Sequence, residues 1–122
     1  MNFKEIAFRE ASSLTKEKVR GKIKIIENEK DIDKIEEGNI VVVKEDLVFE
    51  RAAKYFSLNE IAKYIKGISA VICERGSQTS AISVVCRELE KPCIINLENA
   101  TKIFKDGEEV EIGEFKILKI ED

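Results

Sequence analysis

The sequence predicts an α/β domain, a mostly parallel sheet with helices plus a smaller antiparallel part. Three observations lead there. Apolar runs at Asn39–Val43 and Ile68–Cys73 show no polar alternation, as strands buried on both faces require. Segments with helical apolar spacing lie between and after those runs, the alternation that builds parallel βαβ units. Near the end, Val110/Ile112 and Phe115/Ile117 alternate around Gly113 and predict a closing hairpin. With 122 residues and no linker, repeat or low-complexity tract, residues 1–122 form a single domain with a real core.

Taken in order, Asn2 and Glu5 have the spacing of a capping box. Phe3, Ile6, Ala7, Ala11 and Leu14 then fall on one helical stripe, which predicts a first helix to about residue 14. After Gly21, Ile23 and Ile25 alternate with lysines in a strand over 22–27. Residues 31–37 suit a short helix with Ile32 and Ile35 inward, ended at Gly38, and Asn39–Val43 is a central strand. Residues 46–55 read as a helix capped by Asp46. Ser57 and Glu60 form a second capping box, with Phe56 and Ile61 as its hydrophobic staple. Leu58, Ile61, Ala62 and Ile65 give the buried stripe of that helix.

The strand Ile68–Cys73 leads into a polar turn, Gly76-Ser-Gln-Thr-Ser80. A helix follows, with Ile82, Val85, Cys86 and Leu89 on one stripe and Pro92 as its limit. Next come a strand over 93–96, a short helix capped by Asn99 and running to Phe104, the turn Asp106-Gly107, and the hairpin.

Composition removes several function classes. Charged residues make up 37% of the chain with signs interspersed and a net charge of −3, which argues against a nucleic-acid surface or a polybasic membrane patch. The abundance of Lys, Glu and Ile and the single proline match thermophilic usage. The start carries no basic-then-apolar signal, and no apolar run approaches the ~20 residues that cross a bilayer, so a cytoplasmic location is expected. Cys73, Cys86 and Cys93 lie in apolar surroundings without a C-x-x-C pair and read as reduced core residues. Histidine is absent altogether, which removes the usual zinc constellations, histidine acid–base work and catalytic triads; no metal or cofactor is implied.

What remains is the strand–turn–helix centred on Gly76–Ser80. Such a junction aims backbone N–H groups and a positive dipole end at one point, which attracts phosphate or carboxylate. Arg75, Gly76, Ser77, Gln78, Thr79 and Ser80 are therefore candidate residues for binding a small anion, although ordinary helices without ligands begin in the same way. Thr79 or Ser80 caps the helix. Glu74 and Arg75 flank the turn at a strand end, where open α/β sheets place ligands. No Gly-Lys-Ser/Thr follows Gly76, so the turn is not a P-loop.

The same residues carry a family resemblance. Gly76, Thr79, Ser80, the run Arg87-Glu88-Leu89, Pro92, then Asn99-Ala100-Thr101, Asp106-Gly107 and Val110 match in place and spacing the mobile phosphohistidine domain of enzymes that use phosphoenolpyruvate (PEP). That family includes PEP synthase, pyruvate phosphate dikinase and enzyme I of the sugar phosphotransferase system. The resemblance covers roughly residues 20–120 and implies a swivelling β/β/α fold. Beside it, 1–19 read as a helical extension and 46–67 as a helical insertion.

In the family, a histidine in this turn carries a phosphoryl group between two partner domains. Here that position holds Ala81, and Ser77 replaces the second glycine of the motif. The resemblance thus implies a stand-alone homologue that is not catalytic by itself, a binding or regulatory module or accessory subunit whose family activity is phosphotransfer. It would associate with a PEP-synthase- or dikinase-like protein, with itself, or with a small anion. The alternative is a phosphoryl-carrier subunit of a split PEP synthase or dikinase. That subunit would use another nucleophile such as Thr79, which matches a regulatory phosphorylation site of plant dikinases, or a natural histidine replaced at Ala81.

Overall fold

The computed structural model describes residues 2–121, which form an eight-stranded sheet in the order β1-β8-β7-β3-β4-β5-β6-β2. The strands are β1 (Asn2–Ala7), β2 (Glu10–Ser13), β3 (Val19–Ile26), β4 (Ile40–Glu45), β5 (Ala70–Arg75), β6 (Cys93–Ile95), β7 (Glu109–Gly113) and β8 (Lys116–Glu121). The helices are α1 (Val48–Arg51), α2 (Leu58–Gly67), α3 (Ala81–Glu88) and α4 (Ala100–Ile103). Short 3-10 turns cover Glu29–Lys34 and Ala52–Lys54.

The centre β3-β4-β5-β6 is parallel. Every other pairing is antiparallel: β1 with β8, β8 with β7, β7 with β3, and β2 with β6. The antiparallel share is larger than the sequence suggested because the N-terminal segment joins the sheet. Residues 2–7 and 10–13 are strands, not the expected helix. Their partners lie at the far end of the chain, Lys4 opposite Lys119 and Glu10 opposite Ile95, so long-range pairing overrides a local helical spacing. The side chains of Asn2 and Phe3, read as cap and first apolar position, lie outside the described residues.

Three layers result. Along β4, Ile40 and Val42 face Val110, Ile112 and Ile117 of the antiparallel strands. Val41 and Val43 face the other way, onto Phe49, Ile61 and Ile82 of the helices. A strand covered on both faces has no use for a polar residue, which is why the run is continuously apolar. β3 joins the antiparallel and parallel parts of the sheet, pairing β7 over Val19–Lys22 and β4 over Ile23–Ile26. Gly21 sits just before the change of partner, where a Cβ would collide with the Gly38 carbonyl oxygen.

Local signals held in several places. Ser57 and Glu60 make both bonds of the capping box, a device contributing about 1 kcal/mol. Asp106 Oδ1 accepts from Ile25 N at 2.6 Å, and Gly107 has φ +82°, so the turn before β7 is tied to β3. Others shifted. The segment over 31–37 is a 3-10 turn capped by Asn28, still with Ile32 and Ile35 buried. In the second helix Leu58 stands 76% exposed and Ala62 is also exposed, so its buried stripe narrows to Ile61 and Ile65. Phe115 occupies the β7–β8 turn at φ 58°, outside the strand, and packs against Phe8 with tilted rings 5.7 Å apart. Asn99 takes a left-handed conformation (φ 63°) and caps nothing with its side chain. Among the described residues, no helix is long and apolar enough to cross a membrane.

Candidate functional site

The turn between β5 and α3 is shaped by acceptors that come from elsewhere in the chain. Gly76 N donates to Asn96 Oδ1 at 3.1 Å, and Asn96 holds its left-handed backbone (φ 57°) just after β6. Its amide nitrogen reaches Glu10 Oε2 at 3.1 Å, tying the turn to the edge strand β2. Gly76 is closely packed: a Cβ would lie 3.0 Å from Ile95 Cγ2 and 3.1 Å from Asp46 Oδ2, so either side chain would have to give by a few tenths of an ångström. Ser77 N donates to that same Asp46 Oδ2 at 2.9 Å. Asp46 is thus not the cap of a helix over 46–55, as its position in sequence suggested. α1 starts later, after Leu47, with no side-chain cap, and the buried Asp46 carboxylate turns toward the β5–α3 junction.

The first turn of α3 follows the expected chemistry. Ser80, not Thr79, is the N-cap, its Oγ accepting from Ser83 N at 3.3 Å. The carbonyl of Ser77 accepts from Ser83 Oγ at 2.7 Å and from Ser80 Oγ at 3.3 Å. Arg87, in the last turn of α3, reaches back to the carbonyls of Gln78 (2.7 Å) and Ser12 (3.2 Å). Gln78 Nε2 donates to Ala11 O at 3.2 Å. Ala81 N, the first helical amide, donates to Glu50 Oε1 at 3.2 Å. Two carboxylates of the β4–α1 region, Asp46 and Glu50, therefore occupy amides of the junction expected to attract an anion.

The candidate residues divide accordingly. Gly76, Ser77, Gln78, Thr79 and Ser80 are brought together in the turn, with Thr79 Oγ1 3.5 Å from Ser77 Oγ. Arg75 is drawn into a surface ion-pair line: it meets Glu45 Oε1 at 3.0 Å, and Glu45 Oε2 meets Arg51 Nη1 at 3.3 Å. Exposed pairs of this kind contribute about 0–1 kcal/mol. Glu74 also has another task. Its carboxylate accepts from Thr101 N at 2.8 Å and from Thr101 Oγ1, capping α4 where Asn99 does not. Burial alone would raise the Glu74 carboxyl, but those two bonds and the nearby Lys44 and Lys102 outweigh it and hold the carboxyl below its usual value.

Chemically, the turn lacks an activated nucleophile. The Ser80 and Ser83 hydroxyls donate to a carbonyl, Thr79 has a hydroxyl neighbour and no base, and the chain has no histidine. Cys73, Cys86 and Cys93 are all buried and free. Hydrogen bonding to Cys93, followed by burial, pushes the thiols of Cys73 and Cys86 up, so they stay protonated and inert. Among the described residues, no group of three or more His, Cys, Asp or Glu could hold a metal ion.

Sequence reasoning missed Asp46, Glu50, Asn96 and Glu10 as shapers of the turn. Only Asn96 left a signal, a residue type that tolerates left-handed backbone at the end of an apolar strand. It also missed a groove of about 520 Å³ between α2 and α3, which opens beside Ala81.

Comparison with known proteins gives a consistent picture. The family described as PEP-utilising enzyme, mobile domain, matches residues 52–113. A probable phosphoenolpyruvate synthase of Archaeoglobus fulgidus is 32% identical over 87 residues, 71% of this chain and 10% of that protein. The chain thus spans about a tenth of the length of such curated relatives. Among solved structures, a UPF0107 protein studied in solution superposes with TM-score 0.65 at 16% identity, covering 96% of this chain and 99% of that one. A solution structure of Enzyme I superposes with TM-score 0.52 at 21% identity over 75% of this chain and 34% of its own.

Proposed function

The chain belongs to the family of PEP-utilising enzyme mobile domains, and from that premise we propose that it is a binding or accessory module that docks as such domains dock but carries no phosphoryl group. One observation carries this reading. Ala81 stands at the first position of α3, where the family resemblance puts the phosphoryl-accepting histidine, and a methyl group cannot accept a phosphoryl group.

The surroundings support it. The turn keeps its shape through Asp46, Asn96, Arg87 and the Ser80 cap, none of which needs a side chain at 81. Its amides are already held by the protein's own carboxylates at Ser77 and Ala81, which competes with an incoming anion. Thr79 is not favoured as a substitute carrier, because a hydroxyl without a neighbouring base is a poor nucleophile. The natural partner on this reading is a protein of the PEP synthase or dikinase kind.

The test is phosphoryl transfer from radiolabelled PEP, or from labelled ATP, in the presence of a PEP synthase. The native chain should take no covalent label, and Ala81→His should take an acid-labile one. Covalent label of any stability on the native chain would overturn the non-carrier reading. Failure of Ala81→His to label would remove the docking half of it.

A further inference from the structure

We infer that the groove between α2 and α3 is the contact surface of a homodimer, with a second copy of this chain as its occupant. The two helices run side by side in the same direction, since α2 returns the chain from β4 to β5 and α3 from β5 to β6 in one parallel sheet. Their C-terminal ends are adjacent: Lys91, just past α3, donates to the carbonyls of Lys66 and Ile68 at the end of α2. Their N-terminal ends, Leu58 and Ala81, both line the groove.

The floor is apolar, built from Phe49, Ile61 and Ile82, and the rim is uneven. Leu58 projects from the α2 wall at 76% exposure, the most exposed large apolar side chain among the described residues. Level with it on the α3 wall is the small Ala81. At the other end Lys66 stands on α2 and Glu88 on α3. Among the described residues neither is ion-paired within the chain.

A two-fold axis lying along the groove sets α2 of each copy over α3 of the other, with both helices still parallel. Leu58 then enters the recess beside the partner's Ala81, and Lys66 meets the partner's Glu88, each contact occurring twice. The projection has its recess and the cation its anion only in this pairing; turning one copy end for end would lay α2 antiparallel over α2 and set Leu58 against the partner's Lys66. A histidine at 81 would fill the recess that Leu58 needs. Dimer formation would also cover the start of α3, so this surface and any docking at the turn exclude one another.

Sedimentation equilibrium or light scattering on the whole chain tests the assignment. The native protein should show twice the monomer mass. Leu58→Asp leaves the fold intact, because the position is exposed and an acidic residue suits the first turn of a helix. It should raise the dimer dissociation constant at least about tenfold. Glu88→Lys should weaken the dimer, and adding Lys66→Glu to it should restore the native constant. A native chain that stays monomeric up to about 1 mM overturns the inference. A dimer indifferent to Leu58→Asp does so as well, and failure of the charge swap to rescue overturns the parallel geometry.

Discussion

Asp46 offers the sharpest test of how the turn is built. The residue is 7% exposed, and its carboxylate takes the Ser77 amide at 2.9 Å. Asp46→Ala removes the acceptor and leaves that amide without its partner in a part-buried site. A stranded donor costs about 1–3 kcal/mol, and the vacated volume beside Gly76 adds to it. Asp46→Asn keeps an acceptor of nearly the same shape and gives up only the charge assistance, so its cost should stay near or below about 1 kcal/mol. Urea unfolding at matched m-values reads both numbers, and hydrogen exchange reads the Ser77 amide directly. Exchange at Ser77 should quicken in the alanine variant and much less in the asparagine one. Were Asp46→Ala to fall within about 0.5 kcal/mol of the native protein, Asp46 would be a surface residue in effect and the account of the turn would fail. An asparagine variant as damaged as the alanine one would refute the hydrogen-bond reasoning in a different way, by making charge the cause.

Two further outcomes follow from the titrating groups. The Glu74 carboxyl titrates below its unfolded value, so its contribution is present at neutral pH and is lost as pH falls from the unfolded value through the folded one. Glu74→Gln should therefore flatten the loss of stability in acid, measured as thermal midpoint against pH; an unchanged acid slope would count against the Glu74–Thr101 contact. Hydrogen bonds from Cys73 and Cys86 push Cys93 down to about 3, opposite to its two neighbours, so burial is what should keep all three cysteines from an aromatic disulfide reagent in the native state, and all should react after unfolding. Rapid reaction of the native protein would mean that α3 lifts from the sheet far more often than its packing implies.

The parts legible in sequence are those whose cause is local. β4 and β5 announce themselves because burial on both faces forbids polar residues, and Ser57 with Glu60 because both bonds of a capping box lie within one turn. Long-range causes left no local mark. Ile6, Ala7, Ala11 and Leu14 satisfy a helical spacing, yet hydrogen bonding to β8 and β6, whose partners lie eighty or more positions away, makes strands of Asn2–Ala7 and Glu10–Ser13. Asp46 was misread for the same reason. An aspartate before an apolar helix is an N-cap by local rules, and only the fold brings Ser77 N within reach, thirty-one positions on. Leu58 sits on the apolar stripe of α2, but that stripe is wider than the sheet can cover, and the surplus became a groove wall.

Position 81 joins these strands of reasoning. The turn is over-determined by groups that ignore its side chain: Asn96 and Asp46 hold the amides, Arg87 and the Ser80 and Ser83 hydroxyls hold the carbonyls, and Glu50 meets the amide of residue 81 itself. A change from histidine to alanine there removes a reactive group at almost no cost to the fold, since an exposed first helical position tolerates either residue. What it does alter is the surface. An imidazole would place a polar ring at the mouth of the groove, whereas a methyl group continues its apolar wall from Ile82 and Val85 to the turn. The proposed non-carrier role and the proposed contact surface thus depend on the same position, and a single variant, Ala81→His, should move them in opposite directions: toward phosphoryl acceptance and away from self-association.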